Sequence, residues 1–251
     1  MMKITLKRWV VGTLILMSMC WSFTLQASSK KVNVGFVVGM PPFVVADSGI
    51  LVDLVKEALK RSGYETINYE FPSKQFDKDP LGSFEELDIF VGTPLIFRAD
   101  YSYRKIYEFD NVAVSKKQSK MSIDTIADLK GKYIVAFNNA NQHLKEPFTS
   151  FYNENLKNWE GYKEVENQKA QFDMLLKNRT EVILLDRSMA YYYAKNAGVK
   201  NMEGLIFHEI FPLKNTIYAV GRNQSYVSAI TKSLEEMERD GSVLDILKRY
   251  R

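Results

Sequence analysis

The chain of 251 residues contains a single cysteine, Cys20, and two histidines, His143 and His208. Cys20 stands in an apolar N-terminal run, so everything downstream lacks a thiol. That excludes a disulfide staple, a thiolate metal site and a cysteine nucleophile from the body of the protein. His143 and His208 are far apart in sequence and read as helix-surface and strand-flank residues rather than as a base or a ligand. The G-x-S-x-G, G-x-x-x-x-G-K, G-x-G-x-x-G and H-E-x-x-H patterns are all missing, and with them the common serine-nucleophile, nucleotide and zinc signatures. An excess of one charge is missing too. Without Lys3, Lys7 and Arg8 at the N-terminus, the 34 basic residues become 31 against 30 acidic ones. No footprint for a polyanion remains, so the aromatic and basic run 101–107 reads as a packed or partner-facing segment rather than a nucleic-acid surface.

What is present begins with those three cations. They precede an uncharged, mostly apolar run from Trp9 to Leu25, which ends in the small Ala27 before Ser28 and Ser29. This is the three-part pattern of a secretory signal peptide over 1–27, with export to the periplasm expected. Two other readings compete with it. A retained anchor would have to cross a bilayer that needs about 20 apolar residues, and a lipid-acceptor Cys20 would follow Met17, Ser18 and Met19, where small residues are expected. Cleavage after Ala27 leaves 224 residues without cysteine, enough for one large or two ordinary domains stabilised by packing alone.

Those residues alternate between two apolar periods, with no repeats and no low-complexity tracts. Val32, Val34 and Phe36 alternate as a strand does. Leu51, Leu54, Val55, Ala58 and Leu59 then recur at helical spacing and stop near Gly63. Strands are expected over 67–71, 88–92 and 111–115, and a short helix over 122–130. A second block follows, with strand 133–137, helices 141–156 and 170–177, strand 181–186 and helix 187–197. The chain ends in strand 216–220, a helix marked by Val227, Ile230, Leu234 and Met237, and a short helix over 243–250. Two successive blocks of this kind imply an α/β protein. The terminal part either extends the second block or crosses back to complete the first.

Five pieces in order carry a family resemblance. They are the PPF of 41–43 followed by Gly49, Asp53 and Leu54; the LDIFVG of 87–92 with Arg98 shortly after; and ADLKGKYIVAF of 127–137. The other two are EVILLD of 181–186 with Tyr191, Tyr192 and Tyr193 downstream, and the terminal LEEMERDGSVLDILKRY. Together, behind an export signal, they resemble the bacterial extracytoplasmic solute-binding proteins of family 3, which serve polar amino-acid ABC transporters. The resemblance implies a type II periplasmic-binding-protein fold with a discontinuous first lobe over 28–115 and 216–251. A continuous second lobe spans 116–215, and the ligand lies in the cleft between the two. It also implies a monomer that is not an enzyme and needs no cofactor or metal. The expected partners are a small polar solute and either the membrane permease of an ABC transporter or a membrane sensor, with no nucleic acid.

In such proteins an arginine of the first lobe holds the ligand α-carboxylate and a carboxylate of the second holds the α-ammonium. Arg98 and Asp186 fall near those two positions, and a guanidinium pairs bidentately with a carboxylate in a way lysine does not. From the residues alone, Arg98 is equally a surface ion pair among Asp100, Arg104 and Glu108, and Asp186 an N-cap for a helix starting at Arg187. The proline pair Pro41 and Pro42 fixes the backbone and removes two N–H donors at a strand end, where ligands bind in α/β folds. Met40 is the candidate wall there, and Phe43 is either a second wall or a plug in the lobe core. Thr93, Asn138 and Asn141 complete the candidate set. Two departures qualify it. Leu95 stands where a threonine is common, and the run Asn138, Asn139, Ala140, Asn141 replaces a Gly-Thr pair, so a ligand without the usual amino-acid head is compatible with the chain. The stretch 71–84 is also short for a helix, which weakens Phe76 as a cleft aromatic. A dehydratase of the cyclohexadienyl type, drawing a general acid from Glu164, Glu166 or Glu181, is the enzymatic alternative.

Overall fold

The computed structural model describes residues 30–72, 79–92, 97–199 and 202–250. The expected leader 1–27, Thr93, Leu95 and Phe76 lie outside them. The first block runs β1 (Lys30–Val38), α1 (Ile50–Arg61), β2 (Tyr64–Pro72), a single turn α2 (Pro80–Ser83), β3 (Ile89–Gly92) and β4 (Ser102–Phe109). The second begins with β5 (Asn111–Lys116), then β6 (Ile134–Phe137), the short α3 (Ala140–His143) and α4 (Phe148–Phe151), β7 (Tyr162–Val165), α5 (Gln168–Leu176), β8 (Val182–Asp186), α6 (Arg187–Asn196) and β9 (Leu205–His208). The chain closes with β10 (Asn215–Gly221), α7 (Gln224–Asp240) and α8 (Ser242–Arg249). None of the described helices is long and apolar enough to cross a membrane.

These elements form two five-stranded sheets, ordered β2-β1-β3-β10-β4 and β7-β6-β8-β5-β9. The terminal part therefore crosses back: β10 inserts antiparallel between β3 and β4, and α7 lies against α1. This is the two-lobed, discontinuous α/β architecture, with helices packed on mixed sheets. The crossing occurs at Asp110 and again over 210–214, since β5 pairs with β8 and β9 in the second sheet. The expected first lobe over 28–115 includes 111–115, which the structure instead places in the second sheet. A strand whose first five residues are all buried carries no periodicity to say which sheet it joins.

Local chemistry accounts for most element boundaries. On α1, Ile50, Leu51, Leu54, Val55, Ala58 and Leu59 are buried, and Asp53 near the start with Lys60 and Arg61 at the end suit the helix dipole. The expected helix over 141–156 is interrupted because Lys145 takes φ +58° and Pro147 follows, leaving α3, α4 and a π-helical turn at Tyr152–Leu156. The helix expected over 122–130 is one 3-10 turn, Ile126–Leu129, boxed by Thr125 and Asp128. Three strands escaped the sequence reading: β4, β7 and β9. β4 is the edge of its sheet, half-buried along most of its length, so its aromatic and charged residues show no clean apolar face.

One apolar cluster extends from Val34, Phe36 and Leu54 of the first lobe to Val112, Phe172 and Met189 of the second, while another, around Phe148 and Leu184, belongs to the second lobe alone. At the start of α1, Gly49 takes φ +125°, and a Cβ there would stand 2.4 Å from the Phe43 carbonyl oxygen. Gly49→Ala is therefore expected to cost about 1–3 kcal/mol, read as a lowered urea midpoint. Gly204→Ala, where a Cβ meets nothing within 4 Å, serves as the control and should leave the midpoint nearly unchanged.

Candidate functional site

The loop after β1 folds back onto α1. Phe43 and Val44 donate their N–H groups to the Met40 carbonyl at 2.7 and 3.2 Å, and Ile50 and Leu51 donate to the Pro42 and Phe43 carbonyls at 3.0 Å each. The first turn of α1 is thus satisfied by its own loop rather than held open for a guest. Phe43 is fully buried, with ring centroids 5.0 Å from Tyr107 and 4.8 Å from Phe109 of β4. It is the core plug, not a cleft wall, because no part of the ring reaches solvent. Met40 is half-buried against two apolar clusters. Its neighbours Gly39 and Pro41 reach the space between the lobes instead.

Arg98 sits in a surface cluster of its own lobe. Its Nε and Nη2 donate to Asp100 Oδ1 and Oδ2 at 3.0 and 2.8 Å, and Nη1 donates to Asp79 Oδ2 at 3.0 Å. The guanidinium lies 4.9 Å from the centre of the Tyr101 ring, whose hydroxyl donates to Asp79 at 3.0 Å. Asp79 in turn caps α2 by accepting from Gly82. The charge-assisted bonds to Arg98 hold the Asp100 carboxyl below its ordinary range.

Asp186 faces inward and is 3% exposed. Its Oδ1 accepts from the Ser188 and Met189 N–H groups at 2.7 and 3.3 Å, which makes it the N-cap of α6. Its Oδ2 accepts from the Asp110 N–H at 2.7 Å, in the first crossing segment. Burial raises the carboxyl to about 7 against the lowering pull of these N–H donors. Next to it, Arg187 donates from Nε to Asp110 and from Nη2 to Glu209, both at 2.6 Å, so one side chain touches the start of each crossing. The Tyr107 and Ser188 hydroxyls, 3.1 Å apart, add a polar tie between β4 and α6. Sequence reasoning passed over Arg187 and Tyr107, since neither matches a site pattern.

The asparagine run is split in its roles. Asn138 is exposed. Asn139 takes φ +57° and donates its N–H to Glu164 at 2.8 Å, and the half-buried Asn141 accepts the Thr149 hydroxyl on its carbonyl at 2.7 Å. None of the three glutamates considered as a general acid is buried: Glu164 is half-buried, Glu166 is exposed, and the exposed Glu181 accepts the Tyr133 N–H. Among the described residues, no group of three His, Cys, Asp or Glu side chains is placed to hold a metal ion.

A groove of about 540 Å³ opens between the lobes. Gly39 and Pro41 border it from the first lobe. From the second come Glu166 to Lys169 at the start of α5, Asp173, and Met189, Tyr192, Tyr193, Asn196 and Ala197 along α6. Of the three consecutive tyrosines, Tyr192 and Tyr193 reach the groove, while Tyr191 stacks on Phe207 at 5.4 Å. Arg98, Asp186, Asn138 and Asn141 do not line it.

No protein-family model matches the chain, and no match is found among curated proteins. Solved structures do resemble it. An ancestral cationic amino acid solute-binding protein superposes with a TM-score of 0.68 at 17% identity, covering 88% of this chain and 95% of that one. An ABC uptake transporter substrate-binding protein from Streptococcus pneumoniae with bound histidine gives 0.60 at 16% identity, covering 88% and 92%. A histidine kinase sensor domain with similarity to periplasmic binding proteins gives 0.61 at 12%, covering 88% and 96%. The chain has the periplasmic-binding-protein-like fold that these structures share.

Two variants test the structural roles of Phe43 and Asp186. Phe43→Ala should cost about 3–5 kcal/mol of stability in equilibrium unfolding. Asp186→Ala should cost about 2–4 kcal/mol by leaving three backbone N–H groups without an acceptor. Because Asp186 titrates at about 7 in the folded chain against an ordinary 3.8, folding takes up a proton between these values. Its contribution to stability is then full below the lower value and lost as pH rises through the upper one. Unfolding curves across that window should show this slope in the wild type and lose it in Asp186→Asn.

Proposed function

We propose that this chain is an extracytoplasmic solute-binding protein that captures a small polar solute, an amino acid or a related compound, between its lobes. The observation that carries this reading is the groove walled by both lobes, with the lobes joined by only two crossing segments. Closing the lobes removes the guest from water, and the aromatic and amide side chains of α5 and α6 then meet the backbone of 39–41 across it. An ABC permease is the partner this reading supplies, since the fold's neighbours include transporter substrate-binding proteins. Cleavage after Ala27 and release into the periplasm belong to the same proposal. N-terminal sequencing of the exported protein should begin at Ser28.

The fold likeness to a histidine kinase sensor domain supports a second reading, in which the same closure is relayed to a membrane receptor. Ligand chemistry is common to both, and co-purification with a permease or with a sensor kinase separates them.

Solute capture predicts dissociation constants from micromolar to nanomolar, roughly −8 to −12 kcal/mol, with a smaller radius of gyration in solution scattering once ligand is bound. A broad thermal-shift and calorimetry screen of amino acids, amines and other small polar solutes is the check. A screen in which nothing raises the melting temperature removes the proposal.

A further inference from the structure

β5 starts at the crossing and β8 ends there, so the last residue of β5 and the first residues of β6, β7 and β8 all lie at the far end of the second sheet. The loops at that end, 116–133, 157–161, 177–181 and 202–204, hold eight Lys and Arg against five Asp and Glu. That excess of three is larger than the excess of one carried by 28–251 as a whole, with 31 basic residues against 30 acidic ones. The rest of the molecule is therefore net negative, and the positive charge is polarised to one end.

Lys117, Lys120, Lys130, Lys177 and Arg179 are exposed there, and among the described residues none of them forms an ion pair. Elsewhere cations are paired, as Arg61 is with Asp240, Lys169 with Asp173 and Arg187 with Asp110. Three of the five carboxylates are bonded within the same end: Asp124 accepts the Ser122 hydroxyl, Asp128 the Thr125 hydroxyl and Glu181 the Tyr133 N–H. Glu160 and Glu203 are the other two. Amid the cations stand two exposed rings, Tyr133 at 58% and Trp159 at 37%, with centroids 6.2 Å apart. The Trp159 indole N–H donates to the Lys132 carbonyl at 3.1 Å, which fixes the ring beside them. A groove of about 520 Å³, bordered by Lys116, Met121, Tyr133 and Arg179, indents the same end.

We propose that this end of the second lobe is a docking face for an anionic phospholipid bilayer, with the lysines and Arg179 on lipid phosphates and Tyr133 and Trp159 at headgroup level. Long cationic side chains lay their stems along apolar surface while their heads reach phosphate, and aromatic rings with a polar edge favour the membrane interface. The cations are spread over separate loops instead of converging on one point, so a charged plane matches them better than a single small anion does. Such contact is weak and sensitive to salt. It keeps an exported chain near a membrane partner whichever solute is captured, and leaves the groove between the lobes free.

The other tryptophans are Trp9 and Trp21, so in the chain beginning at Ser28 tryptophan emission reports this face alone. Phosphatidylcholine vesicles with and without phosphatidylglycerol are the probe. The chain is expected to sediment with the anionic vesicles only, with a blue shift of Trp159 emission, and to be released near 1 M salt, where the screening length falls to about 3 Å. Lys117→Glu together with Lys120→Glu should weaken this binding by about tenfold or more with the melting temperature unchanged. Lys56→Glu together with Lys232→Glu makes the same charge change on exposed residues of α1 and α7 and should weaken it by less than about threefold. No sedimentation with anionic vesicles overturns the inference, as does equal binding to neutral ones, an unmoved Trp159 emission or an equal loss from both charge reversals. Retention on immobilised polyglutamate without vesicle binding points to an acidic protein and overturns it too. None of these outcomes bears on solute capture, which the solute screen tests separately.

Discussion

The buried carboxylate of Asp186 is the point on which the two halves of the molecule depend. A carboxylate removed from water must be surrounded by donors, and here every donor is backbone: two N–H groups from the first turn of α6 and one from Asp110 in the crossing segment. The bond to Asp110 fixes where the chain leaves the first sheet, and β5 then enters the second sheet with Asn111 opposite Asp186. Arg187 follows immediately and reaches Asp110 and Glu209, so the outgoing and returning crossings are tied to the same helix start.

Packing reinforces that constraint from the first lobe. Phe43 lies in a loop that resembles a cleft rim in sequence, yet its ring is buried against Tyr107 and Phe109 at the end of strand β4. Those two aromatics lead directly into the crossing at Asp110, and Tyr107 also meets Ser188. The apolar cluster is consequently continuous from one lobe to the other. The prolines before Phe43 shape the loop so that its carbonyls close the first turn of α1, and only Gly39 and Pro41 turn toward the groove.

The same internal satisfaction governs the charges. Arg98 occupies the position that the family resemblance marks for a ligand carboxylate, and in this structure three of its five N–H groups donate to Asp79 and Asp100. An exposed ion pair contributes little to stability by itself. The side chains that line the groove include three amides, two tyrosine rings, the carboxylates of Glu166 and Asp173 and the ammonium of Lys169. Fold and ligand preference are separable for this reason, since the first follows from apolar layering and the second from a few side chains.

By itself, the sequence determined the α/β class and the elements with strong local period. The apolar spacing from Ile50 to Leu59, the run of β8 and the stripe of Val227, Ile230, Leu234 and Met237 on α7 each specify an element within a few turns of chain. It also held both roles of Arg98 and Asp186 open, because ligand contact and structural bond use the same atoms. Only the tertiary structure decided that β10 lies between β3 and β4 and that β5 belongs to the second sheet. It also decided that Asp79, nineteen residues before Arg98, is that arginine's partner, and that Asp110 is joined to Asp186 across 76 residues. Periodicity records which face of an element is apolar, whereas the choice of neighbour is made when the chain closes and each buried polar group takes the nearest donor or acceptor.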